Sequence, residues 1–430
     1  MTLTAYENAH LVCPTAKLDG LGTLLVEDGR IISAGVAAGA KAKVRVPTRA
    51  TKINCRKRWL LPGLIDMQVS TGEPGAEYRE TLETVSRAAA AGGVTRLAVT
   101  ADTQPAIDDA ALVEFLIRRA RATSAVHIHP VAAMSKGLEG KSMSEFALLA
   151  EAGAVAFADA PRPVMDALLM RRALHYATAL DALVIAQPMD VRLAGGGVMH
   201  EGDAARRLGL IGIPAEAEST MVARDIQLAA LTGARYHIAQ ISSAQSVELV
   251  RAAKAKSLPI SCGVSVHHLL LTDEAVADWR SFAKLHPPLR SERDRKALVA
   301  ALADGTIDVI VSAHNPQDVD AKRLPFADAA YGSVGVETLL AAALQLWHRR
   351  EVPLLRLVDA LTAQPARLLR LPGGQLTPKQ PADFCLLDAS AEFAVESSAL
   401  IAKSKNAVLD GQSLRGKILQ SFVGGRKVFP

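Results

Sequence analysis

The strongest constraint on the fold is an alternation between residues 59 and 374, where short apolar runs are followed by amphipathic helical stretches. The runs fall near residue 65 and at 95–100, 127–133, 154–157, 182–186, 235–240, 259–262 and 307–312. Strands that read as near-continuous hydrophobic runs are buried on both faces, as in a parallel sheet covered by helices. Seven or eight such strand-and-helix units favour closure into a TIM-type (β/α)8 barrel over an open α/β sheet. Functional groups of such a barrel project from the C-terminal ends of its strands, so those ends carry the candidate site.

The flanks have a different texture. Residues 1–58 hold short β-rich runs, with Asp28-Gly29 as a hairpin signal between 22–27 and Arg30-Ile31-Ile32. Residues 375–430 repeat the pattern at 382–388 and 416–428, so the two ends are expected to share one small sheet. The Ala-rich run 86–93 reads as a helix end stopped by glycine.

Half of the 430 residues are apolar, enough for one large domain and a smaller one. The net charge of +5 arises from 49 basic and 44 acidic residues spread along the chain, and no basic stripe alternates with aromatics, so a nucleic-acid partner is not expected. Cys13, Cys55, Cys262 and Cys385 stand far apart without a C-x-x-C pair, as in reduced core positions. The N-terminus lacks a basic and apolar leader, and no stretch approaches 18 uninterrupted apolar residues; a soluble cytoplasmic protein without a membrane partner is expected.

Several stretches occur in a familiar order: 61–66 (LPGLID), Glu73-Pro74-Gly75, Glu80 and Glu83, 91–95 (AGGVT), 104–109 (QPAIDD), 223–225 (ARD), 242–247 (SSAQSV), His267-His268-Leu269, 287–290 (PPLR) and 335–338 (GVET). Together they resemble dihydroorotase, a metal-dependent family of the amidohydrolase superfamily. The resemblance implies a (β/α)8 barrel over residues 59–374 and a small β-sandwich composed of 1–58 and 375–430.

It also implies a zinc cluster held by a His-x-His at the end of the first strand, where spacing by two points both imidazoles the same way. Those positions hold Gln68 and Ser70. The fourth-strand ligand position falls near Asp159, the fifth-strand histidine is Gln187, the sixth is Gln240, and the catalytic Asp of the eighth strand is Ala313. Carboxamides and hydroxyls are weak neutral ligands, and alanine is neither ligand nor base. Three substrate contacts differ as well: the Arg position is Gly72 and two Asn positions are Asp102 and His286.

These departures lead to the expectation of a pseudoenzyme with no zinc, no catalytic residue and no retained substrate contact. The implied role is that of an assembly subunit in pyrimidine biosynthesis, partnered by the aspartate transcarbamoylase catalytic chain and homodimeric. The alternatives are an active amidohydrolase (dihydroorotase or another cyclic amidase) with a rebuilt site, or a ligand-sensing regulatory subunit. His127 and His129, His237, His267, His268 and His314 are expected in packing or hydrogen-bonding roles, Asp66 and Asp190 as caps or pairs, and 135–142 as a chance likeness to a phosphate loop. The apolar stretch 338–347 is expected in the core.

Overall fold

A computed structural model describes residues 3–36 and 44–430. Eight parallel strands follow in sequence order: Leu64–Val69, Val94–Val99, His127–Ala132, Ala156–Ala158, Leu183–Ala186, Arg235–Ile238, Ile260–Ser265 and Val309–Val311. The ring closes where Val69 bridges His314 and the Ser70 amide donates to the His314 carbonyl at 2.8 Å. This is the TIM-type (β/α)8 barrel expected from the alternation. Its interior is packed by Met67, Ala98, Val131, Ala158, Ile185, Val309 and Val311, all buried.

The covering helices have local reasons to start and stop. Thr81 caps Leu82–Ala91 in a reciprocal box with Thr84, and Gly92 ends it. Asp109, Asp166 and Ser243 cap the helices Ala110–Thr123, Ala167–Ala179 and Ala244–Ala255. Leu339–His348 buries Leu339, Leu340, Leu344 and Leu346, in keeping with its core reading.

The two ends of the chain do share a sheet. It has eight strands, with Leu3–Cys13, Leu18–Glu27, Arg30–Val36, Thr51–Asn54 and Trp59–Pro62 from one end and Phe384–Ala394, Ser413–Val423 and Arg426–Phe429 from the other. Asp28 (φ 47°) and Gly29 (φ 77°) form the hairpin turn, both left-handed as a primed turn requires. Tyr6, Phe384 and Phe422 form an aromatic cluster on this sheet, with Phe384 stacked on Phe422 at 4.5 Å. Cys13, Cys55, Cys262 and Cys385 are buried free thiols.

Barrel and sheet are joined by a buried ion pair. Arg96, on the second barrel strand, donates to Asp383 at 2.7 Å, and both are almost wholly excluded from water. Asp383 also accepts from the Gly424 amide at 2.7 Å. His129 lies 3.4 Å from Arg96 and His127 lies 3.6 Å from Asp383, so the His-x-His of the third strand serves this junction at the N-terminal end of the barrel.

Candidate functional site

At the opposite end, the C-terminal ends of the strands surround a cavity of about 240 Å³. Gln68 lies on the first strand and Ser70 just past it, Thr100 just past the second and Gln240 just past the sixth. Ser265 ends the seventh, His267 and His268 follow it, and Ala313, His314 and Asn315 follow the eighth. His286, Tyr331 and Ser333 complete the wall.

Of the positions singled out in the sequence, Gln68, Ser70, Gln240, Ala313 and His286 meet here, and Asp102 stands directly behind Ser70. Ser70 Oγ donates to Asp102 Oδ2 at 3.1 Å and lies 3.1 Å from Thr100 Oγ1, and Thr100 donates to the same carboxylate. Burial raises the Asp102 carboxyl above its ordinary range, although bonds from Thr100 and Ser70 oppose the rise. Gln240 Nε2 donates to Gln68 Oε1 at 3.0 Å, so two side chains at imidazole positions bond to each other.

The remaining positions lie elsewhere. Asp159 turns to the loop after the third strand, accepting from the Met134 and Ser135 amides at 2.9 Å and from the Ser135 hydroxyl. Gln187 sits behind the cavity and donates to the Gln240 carbonyl at 3.2 Å. Gly72 occupies a tight turn at φ +90°, and a Cβ there would stand 2.5 Å from the Ala76 carbonyl, so this backbone admits no side chain. Asp190 caps the helix Val191–Ala194, and Asp66 lies within the first strand rather than at a loop start, accepting from the Gln68 and Ser312 amides at 3.3 Å.

The histidines are tied into the frame. His237 bonds Ser261 Oγ at 2.8 Å inside the barrel, and burial pushes its pKa down to about 3. His314 Nδ1 accepts from the Gly335 amide at 3.2 Å, and its Nε2 faces Glu80 at 3.6 Å. His268 Nε2 donates to the Pro287 and Pro288 carbonyls at 3.1 and 3.2 Å, which leaves Nδ1 as an acceptor. Burial lowers the pKa of His267 to about 3 and of His268 and His286 to about 4, so all three are neutral at pH 7.

Glu218 was not foreseen. It is fully buried on the helix Glu216–Thr232 and accepts from the Ser242 and Ser243 amides at 3.0–3.1 Å, fixing the loop just beyond Gln240. Arg290 joins the same network by donating to Ser242 Oγ at 2.8 Å. A glutamate within an Ala-rich helix gives no sign in one sequence of where its carboxylate points; Thr100 and Tyr331 were missed for the same reason.

The donor set does not fit the zinc cluster that the family resemblance implies. Gln68, Ser70, Gln187 and Gln240 offer neutral oxygen or nitrogen, Ala313 offers nothing, and no group of three His, Cys, Asp or Glu able to hold a metal occurs among the described residues. What the site does provide is a half-buried carboxylate in contact with a hydroxyl, at a cavity that neutral imidazoles also line, a combination able to accept and return a proton.

Barrel and terminal sheet together have the architecture that the family resemblance implies. Residues 57–246 match the family described as "Dihydro-orotase-like". The dihydroorotase of Anaeromyxobacter dehalogenans (strain 2CP-1 / ATCC BAA-258) is 42% identical over 424 residues, covering 98% of this chain and 96% of that protein. The dihydroorotase of Syntrophus aciditrophicus (strain SB) is 40% identical over 423 residues, covering 98% of each. Among solved structures, L-hydantoinase (dihydropyrimidinase) from Arthrobacter aurescens superposes with a TM-score of 0.89 at 21% identity, over 100% of this chain and 96% of that one. The chain belongs to the dihydroorotase-like amidohydrolases.

The expectation of a pseudoenzyme is corrected by this result. Relatives named dihydroorotase match from end to end at about 40% identity, which points to an active amidohydrolase and not to a pseudoenzyme. Missing imidazoles do not by themselves mean missing activity, because Asp102, Ser70 and Thr100 form a hydrogen-bonded cluster at the same wall. No helix among the described residues is long and apolar enough to cross a membrane.

Proposed function

We propose that this chain is a dihydroorotase-like amidohydrolase that opens a cyclic amide at the barrel mouth, with a reaction centre rebuilt without the imidazole cluster. The observation that carries this reading is the end-to-end match to proteins named dihydroorotase. The cavity at the strand ends supports it. In this reading Asp102 takes a proton, through Ser70, from the water that attacks the ring carbonyl, and the proton ends on the departing ring nitrogen; the carboxylate is regenerated. No step passes through a metal.

The test is ring opening and ring closure of dihydroorotate, 5,6-dihydrouracil and hydantoin by the purified full chain, with metal content measured on the same sample. Turnover is expected to survive dialysis against a chelator and to fall by about 100-fold or more in Asp102→Asn, the usual loss for a general base. Absence of turnover on all three rings by folded protein would overturn the reading. Loss of turnover on chelation would overturn the metal-free part alone.

The family resemblance supports two proposed partners, the aspartate transcarbamoylase catalytic chain and a second copy of this chain. Co-expression should give one complex on size exclusion, with the protein dimeric by itself. Separate elution of the two chains, or a monomer, would remove the corresponding partner.

A further inference from the structure

The charge of the mouth restricts what can enter it. Among the described residues lining the cavity there is no lysine or arginine. His267, His268 and His286 are neutral, His314 faces the Glu80 carboxylate at 3.6 Å, and the Asp102 carboxylate lies behind Ser70. The Gly72 turn leaves no room for a cationic side chain. A carboxylate carried by the ring would therefore be stripped of water without a lysine or arginine on the cavity wall to pair with, which is unfavourable.

The polar groups that remain suit an uncharged ring. Two carboxamides joined by one hydrogen bond always leave an acceptor and a donor over, whichever way each is turned. Here these are Gln240 Oε1, buried and without a partner in the protein, and Gln68 Nε2. His267 adds two ring nitrogens without partners and His268 adds Nδ1. Buried polar atoms are nearly always paired, so a cluster of unpaired ones at a cavity wall marks where a polar ligand docks. A ring amide presents one N–H and one C=O side by side, the complement of what the glutamine pair leaves free.

We propose that Gln68 and Gln240 form a recognition element for the N–H and C=O edge of an uncharged cyclic amide, so that the mouth selects neutral dihydropyrimidine-type rings over rings bearing a carboxylate. The inference rests on the reading of this cavity as the substrate site. It assigns to two positions that lost the family's imidazoles the task of holding the substrate.

Calorimetric titration of the full chain with 5,6-dihydrouracil and with dihydroorotate tests it. Dihydrouracil is expected to bind at least tenfold more tightly. Gln240→Met, similar in shape but without the carboxamide, should weaken dihydrouracil by tenfold or more, and Gln68→Met should do the same if the first variant folds poorly. Asp102→Asn should narrow the preference by improving dihydroorotate. Equal or tighter binding of dihydroorotate, no binding of dihydrouracil, or indifference of both glutamine variants would each overturn the proposal. Tight dihydrouracil binding without turnover would sink the hydrolase reading and leave this one standing; turnover with dihydroorotate preferred would do the reverse.

Discussion

Asp383→Ala is expected to destabilise the fold by about 3–5 kcal/mol, the usual cost of leaving one member of a buried ion pair without its partner. Asp383 is fully buried and accepts from Arg96 Nη2 and the Gly424 amide, both at 2.7 Å. Its removal strands the buried Arg96 guanidinium beside His129, with no other carboxylate bonded to it among the described residues. Replacing both members, Arg96→Met with Asp383→Leu, should recover part of the loss because no unpaired charge then remains. Urea unfolding followed by circular dichroism reads the difference. A loss below about 1 kcal/mol in the single variant would mean that water reaches Arg96 and that the pair does not anchor the sheet to the barrel.

Some of this architecture was legible because its signals are local. The Asp28-Gly29 turn, the glycine stop at Gly92 and the alternation of apolar runs with helices depend on neighbours within a few residues, and all appear where the sequence placed them. Strand limits moved by one to three residues: the fourth strand was expected over 154–157 and is Ala156–Ala158. Spacing alone placed Gln68 and Ser70 on one side of the first strand, and both do line the mouth.

The contents of the site were less legible because they depend on groups far apart in the chain. Gln68 meets Gln240 across 172 positions, and Arg96 meets Asp383 across 287. Asp102 reads in the sequence only as a lost asparagine, whereas its contacts with Ser70 and Thr100 place a carboxylate directly behind the wall. A glutamine at an imidazole position carries no sign in its own stretch of sequence of the second glutamine it meets across the barrel.

Asp66→Asn is expected to stabilise the protein at pH 8 by up to about 3 kcal/mol and to have little effect at pH 4. Asp66 is completely buried in the first barrel strand, and its Oδ2 has no hydrogen-bond partner. Burial pushes its carboxyl up to about 6 from 3.8, against the opposing pull of Ser312 and the Gln68 amide. The folded state therefore binds more protons than the unfolded state between about pH 4 and pH 6, and stability falls as pH rises through that window. A shift of about two units at about 1.4 kcal/mol each sets the size of the fall. Asparagine is neutral throughout and escapes it, while its Oδ1 can still accept from Gln68 and Ser312. The informative quantity is the difference between variant and parent in urea midpoint at each pH, because every other titrating group cancels in it. A difference that is the same at pH 4 and pH 8 would show that Asp66 does not titrate in this range, and that the carboxylate is held charged beside the mouth by a cation or by water.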